Sequence, residues 1–473
     1  MRNIEHSYID GQFVEPHGRE LFDLHNPTTG GVIGRVRLGD VEDAHAAIAA
    51  AKRALPLMAR TTKAERLHML QALEAAMQAR ADELYEAMLE EYGAPAVFSR
   101  WVADYAPASF RAAAQTLADF PLEQDIASAR VAMEPVGVVG LITPWNANAA
   151  FICGKLAYAI AAGCTSVIKP SEMSALQTEV VLRALHEAGL PAGVYNLVNG
   201  RGADVGAAIA AHPDVAKISF TGSTTVGKAI IRASADTLKR VTLELGGKSP
   251  TIVLDDAALE TVIPAVIGTG FMNSGQACIA GTRVLVSEAR RETFEAALKA
   301  AIETEVKVGD PRDPSTSIGP MVSQTQWERV QRYIRLGVEE GANLLTGGEG
   351  RPEGLTGYFV RPTVFTDVKN DMRIVREEIF GPVLAILTYR DEDEAVAIAN
   401  DTSYGLSAYI FGDQAKAERI AARLESGRVV INGAAHEPLA PFGGVKQSGL
   451  GREGGPFGLS AYLEPKTVLG ARR

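Results

Sequence analysis

At 473 residues, 47% hydrophobic and 22% charged, the chain is long enough for more than one hydrophobic core and has the composition of a soluble globular protein. A formal net charge of −10, with no block of lysine and arginine, excludes nucleic acid as the partner, so any phosphate must be held locally. Three unevenly spaced cysteines make neither a disulfide framework nor a metal-ligand cluster, Met1–Asp10 has no leader-like charged start and apolar core, and Phe151–Ala162 is too short to span a membrane; a cytoplasmic protein without metal is expected.

Ser7–Glu15 reads as a short strand-like start. Val41–Ala59 and Thr62–Glu91 carry apolar residues at helical spacing and predict amphipathic helices, with Met69, Met77 and Met88 in the core. From Val136 to Asp256 short apolar runs (Val136–Ile142, Thr165–Ile168, Val194–Leu197, Ala216–Phe220, Arg240–Leu245) alternate with helical stretches. That alternation predicts an α/β fold with an open parallel sheet covered by helices on both faces. Ligands of such a sheet collect beyond the carboxyl ends of its strands, which points to Thr143–Asn146, Lys169–Glu172 and Thr221–Gly227. A second α/β region runs from Thr251 to about Asn432, with strands expected at Thr251–Leu254, Thr282–Ser287, Val383–Tyr389 and Arg428–Ile431. The Gly-rich segment Phe442–Gly455 then leads to Ala461–Val468, whose alternation predicts a terminal strand.

The segment Asn273–Arg283 sets one cysteine, Cys278, among small and polar residues. Free cysteine is usually a buried small hydrophobe, a reading that suits Cys153 and Cys164 in their apolar surroundings. Cys278 differs, because Gly275 and Gly281 allow close backbone approach and Asn273, Ser274 and Gln276 are too polar for an ordinary core turn. It is assigned as a nucleophile, with a carboxylate elsewhere to activate water; the pairing predicts covalent chemistry on a carbonyl. Phe220–Gly227 follows a strand and opens a helix, so its amides suit a pyrophosphate, although two glycines alone are a weak signal. Lys169 and Glu172 can grip ribose hydroxyls or a phosphate, or simply be solvated. Asn146 offers an amide donor to an oxyanion, and suits a helix cap equally well. Glu377–Pro382 has no clear meaning by itself.

Pro144-Trp145-Asn146, Lys169-Pro170-Ser171-Glu172, Phe220–Gly227, Glu244–Pro250, Gly275-Gln276-Ala277-Cys278, Glu378–Pro382 and Pro441–Gly444 together resemble the NAD(P)-dependent aldehyde dehydrogenase superfamily, in family order and nearly end to end. The resemblance implies a Rossmann-type cofactor domain (1–116 and 136–246), a second α/β catalytic domain (247–447) and a small β oligomerisation element (117–135 and 448–473). It implies that Cys278 attacks an aldehyde, that the Asn146 amide and the Cys278 N–H stabilise the oxyanion, and that Glu244 is the base that hydrolyses the thioester. Glu453 is expected to help order that base or its water, and the presence of Glu244 favours hydrolysis over transfer to coenzyme A.

By the same resemblance Thr143, Trp145, Lys169, Glu172, Gly222, Ser223, Leu245, Glu378 and Phe380 contact the cofactor. Glu172 accepts bonds from a free 2′-hydroxyl and repels a 2′-phosphate, so NAD is expected, with NADP use possible through Lys169. Arg240, Arg452 and Glu464 match positions that join subunits, which implies a homodimer or homotetramer. The chain departs from the family pattern after Asn146, where Ala147 and Gly154 replace bulk. With Phe151, Ile279, His436 and Phe442 they are expected to line a roomy apolar tunnel for medium-chain, branched or aromatic aldehydes. Three other readings stand beside this one: a semialdehyde dehydrogenase with a cationic anchor not identifiable from the sequence, a non-catalytic binding relative, and a cysteine hydrolase using Cys278 without cofactor, which needs a histidine partner that the sequence does not offer nearby.

Overall fold

The computed structural model describes residues 2–470 and contains two large, mostly parallel sheets. In the first, the strands run in the order Gly449–Leu450, Arg240–Glu244, Val215–Thr221, Val138–Ile142, Thr165–Lys169, Tyr195–Leu197, Ser7–Ile9, Gln12–Val14. The five central strands are parallel, and antiparallel strands close both edges. Chain order reverses between Val138–Ile142 and Val215–Thr221, so a crevice opens at their carboxyl ends, where a doubly wound sheet binds its ligand.

The second sheet runs Asn343–Thr346, Thr363–Thr366, Val383–Tyr389, Arg283–Ser287, Pro250–Val253, Ser407–Phe411, Arg428–Ile431, and only its first pair is antiparallel. Leu463–Leu469 pairs antiparallel with Ala129–Pro135, and that strand with Glu123–Ile126, in a small separate sheet. The segment after residue 447 therefore serves two sheets, since Gly449–Leu450 returns to pair with Arg240–Glu244 before the chain leaves for the small one.

Val41–Ala59 is a single helix, started by a capping box in which Asp40 and Asp43 satisfy each other's backbone N–H groups. The expected helix over Thr62–Glu91 is broken instead. Lys63–Gln78 ends, Arg80 leaves helical geometry (φ −113°, ψ 13°) with its guanidinium on Glu83 and Glu187, and Ala81–Ala87 then widens into a π turn over Met88–Tyr92. The apolar period continues across the break, so composition alone could not reveal it. Met77 and Met88 are buried as expected, and Met69 packs partly buried against the same core.

Cys153 and Cys164 are fully buried, and burial raises both thiols well above the ordinary range. Among the described residues no helix is long and apolar enough to cross a membrane, and no cluster of metal-ligating side chains forms. Arg283 is the largest fully buried side chain; its guanidinium donates to the carbonyls of Lys248 (3.0 Å), Ile398 (2.9 Å) and Ala399 (2.7 Å). This ties the loop after Glu244 to the second sheet. Arg283→Ala strands three carbonyls, each costing about 1–3 kcal/mol, and should lower the thermal midpoint by at least about 5 °C in calorimetry. Arg283→Met, which keeps the volume, should recover only part of that loss.

Candidate active site

The loop that carries Cys278 begins with consecutive left-handed residues, Asn273 (φ 52°), Ser274 (φ 58°) and Gly275 (φ 75°). For the two that are not glycine this conformation costs on the order of 1–3 kcal/mol each, so neighbours must enforce it. Asn273 Nδ2 donates to the carbonyls of Asn146 (3.2 Å) and Gln276 (3.1 Å), and Ser274 Oγ accepts the Gly319 N–H (2.9 Å). Gln276 is held at both ends of its amide, donating to the Pro320 carbonyl (3.2 Å) and accepting the Val322 N–H (2.9 Å). Gly275 is obligatory, since a Cβ there would lie 2.2 Å from the Gly381 backbone. The result is a rigid shelf on which Cys278 is half-buried.

Asn146, just past Val138–Ile142 of the first sheet, donates from Nδ2 to the Gln276 carbonyl (3.0 Å). Its amide is thus anchored two residues from Cys278. Ala147, which has no side-chain cap bond, is the residue that precedes helix Asn148–Ala162, so the cap reading of Asn146 is not the one realised.

Glu244 ends strand Arg240–Glu244, is buried, and among the described residues has no hydrogen-bond partner on either carboxylate oxygen. Burial first, and then the charge of Glu453, raise its pKa well above the usual carboxylate range. Space beside it is kept by Gly443, where a Cβ would come within 2.7 Å of Glu244 Oε1. Glu453 pairs with the buried Lys155 and accepts the Ser219 hydroxyl (3.0 Å), while Lys155 also donates to Ser219 (3.1 Å). Lys155 was not singled out from the sequence, although it is the single charged residue in the apolar helix Asn148–Ala162, which was the available signal.

The switch-point crevice gathers most of the expected cofactor residues. Thr143 donates to Asn148 Oδ1 (2.8 Å), Gly222 N–H donates to the Glu244 carbonyl (2.9 Å), and Ser223 caps helix Thr224–Ala235. Leu245 packs against Gly227, where a Cβ would meet it at 2.6 Å. The Trp145 and Phe380 rings meet edge to face at 5.4 Å, with Phe380 at φ 63°. Glu378 accepts the Gly247 N–H (2.9 Å), and burial raises it to about 7 against the pull of that bond, Arg329 and Lys248. Its other oxygen lies over Gly246, where a Cβ would be 2.5 Å away, so the carboxylate faces a bare backbone with acceptor capacity to spare. Farther along, Lys169 is buried with Glu172 at 3.3 Å. Carboxylates with spare capacity, a buried lysine and a glycine-lined turn are a donor and acceptor set that fits a dinucleotide.

Of the expected substrate residues, Ala147, Phe151 and Gly154 share one face of the helix that follows Asn146. A Cβ on Gly154 would meet only Ser109 Oγ, at 3.9 Å. Ser109 and Tyr105 lie one turn apart on helix Ala96–Asp119, and the Tyr105 hydroxyl lies 3.4 Å from His436 Nε2. Gly154, Ser109, Tyr105 and His436 thus form a line, with Trp101 stacked on Tyr105 at 4.9 Å as its outer rim. Tyr105 and Trp101 were not read from the sequence, where they look like ordinary helix positions. Ile279 presents its carbonyl to the Tyr409 hydroxyl (2.8 Å), and Phe442 exchanges backbone bonds with Glu453 (2.7 Å each way). Arg428 was also missed: half-buried, it touches Ser407 Oγ (3.3 Å) and the Tyr409 hydroxyl (3.4 Å), and no carboxylate pairs with it among the described residues. Of the proposed intersubunit residues, Arg240 pairs with Glu464 of its own chain and Arg452 binds the Gly444 and Gly451 carbonyls.

A cysteine shelf, a facing amide, an unpartnered buried carboxyl and an adjoining dinucleotide crevice define a nicotinamide-dependent oxidoreductase that works on carbonyl carbon through sulfur. The chain belongs to the aldehyde dehydrogenase family, whose model matches residues 13–468. It is 47% identical over 475 residues, spanning 99% of both chains, to 3-succinoylsemialdehyde-pyridine dehydrogenase of a Pseudomonas species. Among solved structures it superposes on a cysteine-to-alanine variant of aldehyde dehydrogenase C from Pseudomonas syringae in complex with NAD+ and octanal (TM-score 0.96, 43% identity, 98% of this chain and 96% of that one). Betaine aldehyde dehydrogenase of Staphylococcus aureus in complex with NAD+ is similar as well (TM-score 0.95, 36% identity, 98% and 94%).

Burial pushes the Cys278 thiol up to about 12, and Glu378 and then Glu244 add to the rise, against Arg428. A raised pKa leaves little thiolate at neutral pH. Alkylation of Cys278 by iodoacetamide should therefore be slow at pH 7 and rise about tenfold per pH unit toward pH 10. Glu244→Gln, which removes a facing negative charge, should speed it, as read by mass spectrometry of the labelled peptide; a pH-independent rate would contradict this.

Proposed function

We propose that this protein oxidises an aldehyde to the carboxylic acid with NAD, using Cys278 as nucleophile, Asn146 as oxyanion donor and Glu244 as hydrolytic base. The observation that carries the assignment is the fixed approach of Asn146 to the Cys278 loop through the Gln276 carbonyl, beside a buried carboxyl with no other partner. Bound at the switch-point crevice, NAD supplies the hydride acceptor.

The remaining chemistry belongs to the chain. Cys278, its thiol proton passed to solvent, adds as the thiolate through Sγ to the carbonyl carbon, and the oxygen that takes up negative charge is met by Asn146 Nδ2 and the Cys278 N–H. Once hydride has left, an acyl group remains on sulfur. Glu244, its carboxyl free of partners, takes a proton from water, whose oxygen attacks the thioester and releases the acid. Glu453, fixed by Lys155 and Ser219, keeps a second carboxyl near that base. So complete an assembly speaks against a non-catalytic binding role.

Glu172, a carboxylate beside Lys169 at the corner of the crevice, supports a preference for NAD over NADP. The small Ala147 and Gly154 support medium-chain, branched or aromatic aldehydes, a range that suits the octanal bound by the Pseudomonas syringae relative. A second reading, an aldehyde that also carries a carboxylate or carbonyl group, is favoured by the unpaired Arg428 one hydroxyl away from Ile279, and by the relative named for a pyridine-bearing semialdehyde. Exposed Ile126 and Leu469 in the small sheet, whose edge strand Leu463–Leu469 has one side free, support self-association as a dimer or tetramer. A cytoplasmic location fits three free cysteines.

NADH absorbance with octanal and an aldehyde panel tests the reading. Cys278→Ala should abolish the signal, Asn146→Ala should lower turnover by about 10²- to 10³-fold, and Glu244→Gln should give one rapid turnover and then stall. No aldehyde-dependent NADH from the wild type would refute the proposal. Ala147→Phe should reduce efficiency on bulky aldehydes far more than on propanal, while Arg428→Met should spare octanal and weaken carboxylated aldehydes. Equal effects across the panel would remove the tunnel assignment.

A further inference from the structure

The corner of the crevice at Lys169 and Glu172 contains two residues with no role so far. Arg201, in the turn after strand Tyr195–Leu197, points its Nη1 at Glu172 Oε1 (3.3 Å) while Lys169 Nζ lies 3.3 Å from Glu172 Oε2. The other face of the guanidinium is held by Glu20, with Nη2 at 2.6 Å and Nε at 3.1 Å from the same oxygen. Phe22 lies under it, 4.9 Å from guanidinium carbon to ring centre. The four charges alternate and cancel.

We infer that Arg201 is the receptor for a 2′-phosphate on the adenosine ribose, and that Glu20, by occupying Arg201, biases the site toward the unphosphorylated dinucleotide. The inference rests on the dehydrogenase reading and names the cofactor control of the same site.

A 2′-phosphate adds up to about two negative charges, which Glu172 opposes. Lys169 and Arg201 already flank that carboxylate, so a phosphate that displaces it finds both cations in place. A guanidinium takes phosphate in a two-pronged bond that a lone ammonium does not match. The space is also present. A Cβ on Gly206 would come no nearer than 3.9 Å to Lys169 Cδ, and one on Gly202 would meet nothing within 4 Å. What weakens the receptor is Glu20, which satisfies two of the donors that a phosphate would need. Its side chain is 50% exposed and that of Arg201 38%, so the restraint is a modest surface ion pair, worth at most about fivefold in affinity.

Calorimetric titration of full-length Cys278→Ala protein with NAD and with NADP tests this without turnover. NAD should bind more tightly than NADP. Adding Glu20→Gln should tighten NADP about three- to fivefold with NAD changed less than twofold, and the gain should fade as KCl rises from 50 to 500 mM. Adding Arg201→Ala instead should weaken NADP at least about fivefold more than NAD, with Arg201→Lys in between. Thermal midpoints confirm that each variant is folded. An NADP-to-NAD ratio unmoved by Glu20→Gln, or equal weakening of both by Arg201→Ala, overturns the assignment while leaving the dehydrogenase reading intact. Failure of both dinucleotides to bind the parent protein overturns both readings, and failure of NADP alone to bind even with Glu20→Gln overturns the Arg201 assignment.

Discussion

Two sheets with separate cores have to meet at one sulfur atom, and the hydrogen bond from Asn146 Nδ2 to the Gln276 carbonyl is one of the links that joins them there. The contact is reciprocal, because the Asn146 carbonyl accepts from Asn273. A side chain that follows the first sheet therefore holds the left-handed turn, and the turn in return fixes that side chain. Two non-glycine residues at positive φ would relax in solution, at a gain of on the order of 1–3 kcal/mol each. Ser274 on Gly319 and Gln276 on Pro320 and Val322 oppose that relaxation from the other side. Cys278 owes its position less to its own surroundings than to this double clamp.

The same clamp encloses charges that water would otherwise screen. Glu244 is left without a partner, Glu378 with a single N–H donor, and Lys248 is driven down to about 7 by burial. Lys155 and Glu453 are the exception, since each offsets the other. An uncompensated buried carboxyl costs stability and gains basicity, the exchange expected of a residue that must take a proton from water. Glu453 contributes to that rise through its negative charge, while its bond to Lys155 keeps the charge in place. Burial raises the Cys278 thiol as well, so the same enclosure acts on the nucleophile and on the base.

Local signals were legible and distant ones were not. Val41–Ala59, Val383–Tyr389 and Arg428–Ile431 follow from their own periodicity, and the crevice follows from where the strand order must reverse. The break at Arg80 was not legible, since the residues that cause it are charges whose partner, Glu187, is remote in the chain. Lys155 acquires its meaning from Glu453, 298 residues away, Tyr105 from His436, 331 away, and Arg201 from Glu20, 181 away. The left-handed pair Asn273–Ser274 carries no glycine at those positions to announce it. The motifs fixed which residues meet, whereas the charges around them depend on pairings that only the fold creates.

In the proposed substrate tunnel, volume and charge set opposing demands on the aldehyde. Along the line from Ala147 and Gly154 past Ser109 to His436, the side chains are small or aromatic and favour a bulky apolar body. Arg428, half-buried and bonded among the described residues to hydroxyls, changes that preference, because a hydrocarbon chain laid over it would strip water from a charge and return nothing. A straight alkanal meets the first demand and not the second; a small carboxylated aldehyde meets the second and leaves the wall unfilled. On the proposed tunnel lining both are met by a larger aldehyde with an acceptor group set back from the reacting carbon, since Arg428 reaches the Ile279 carbonyl, next in the chain to Cys278, through Tyr409.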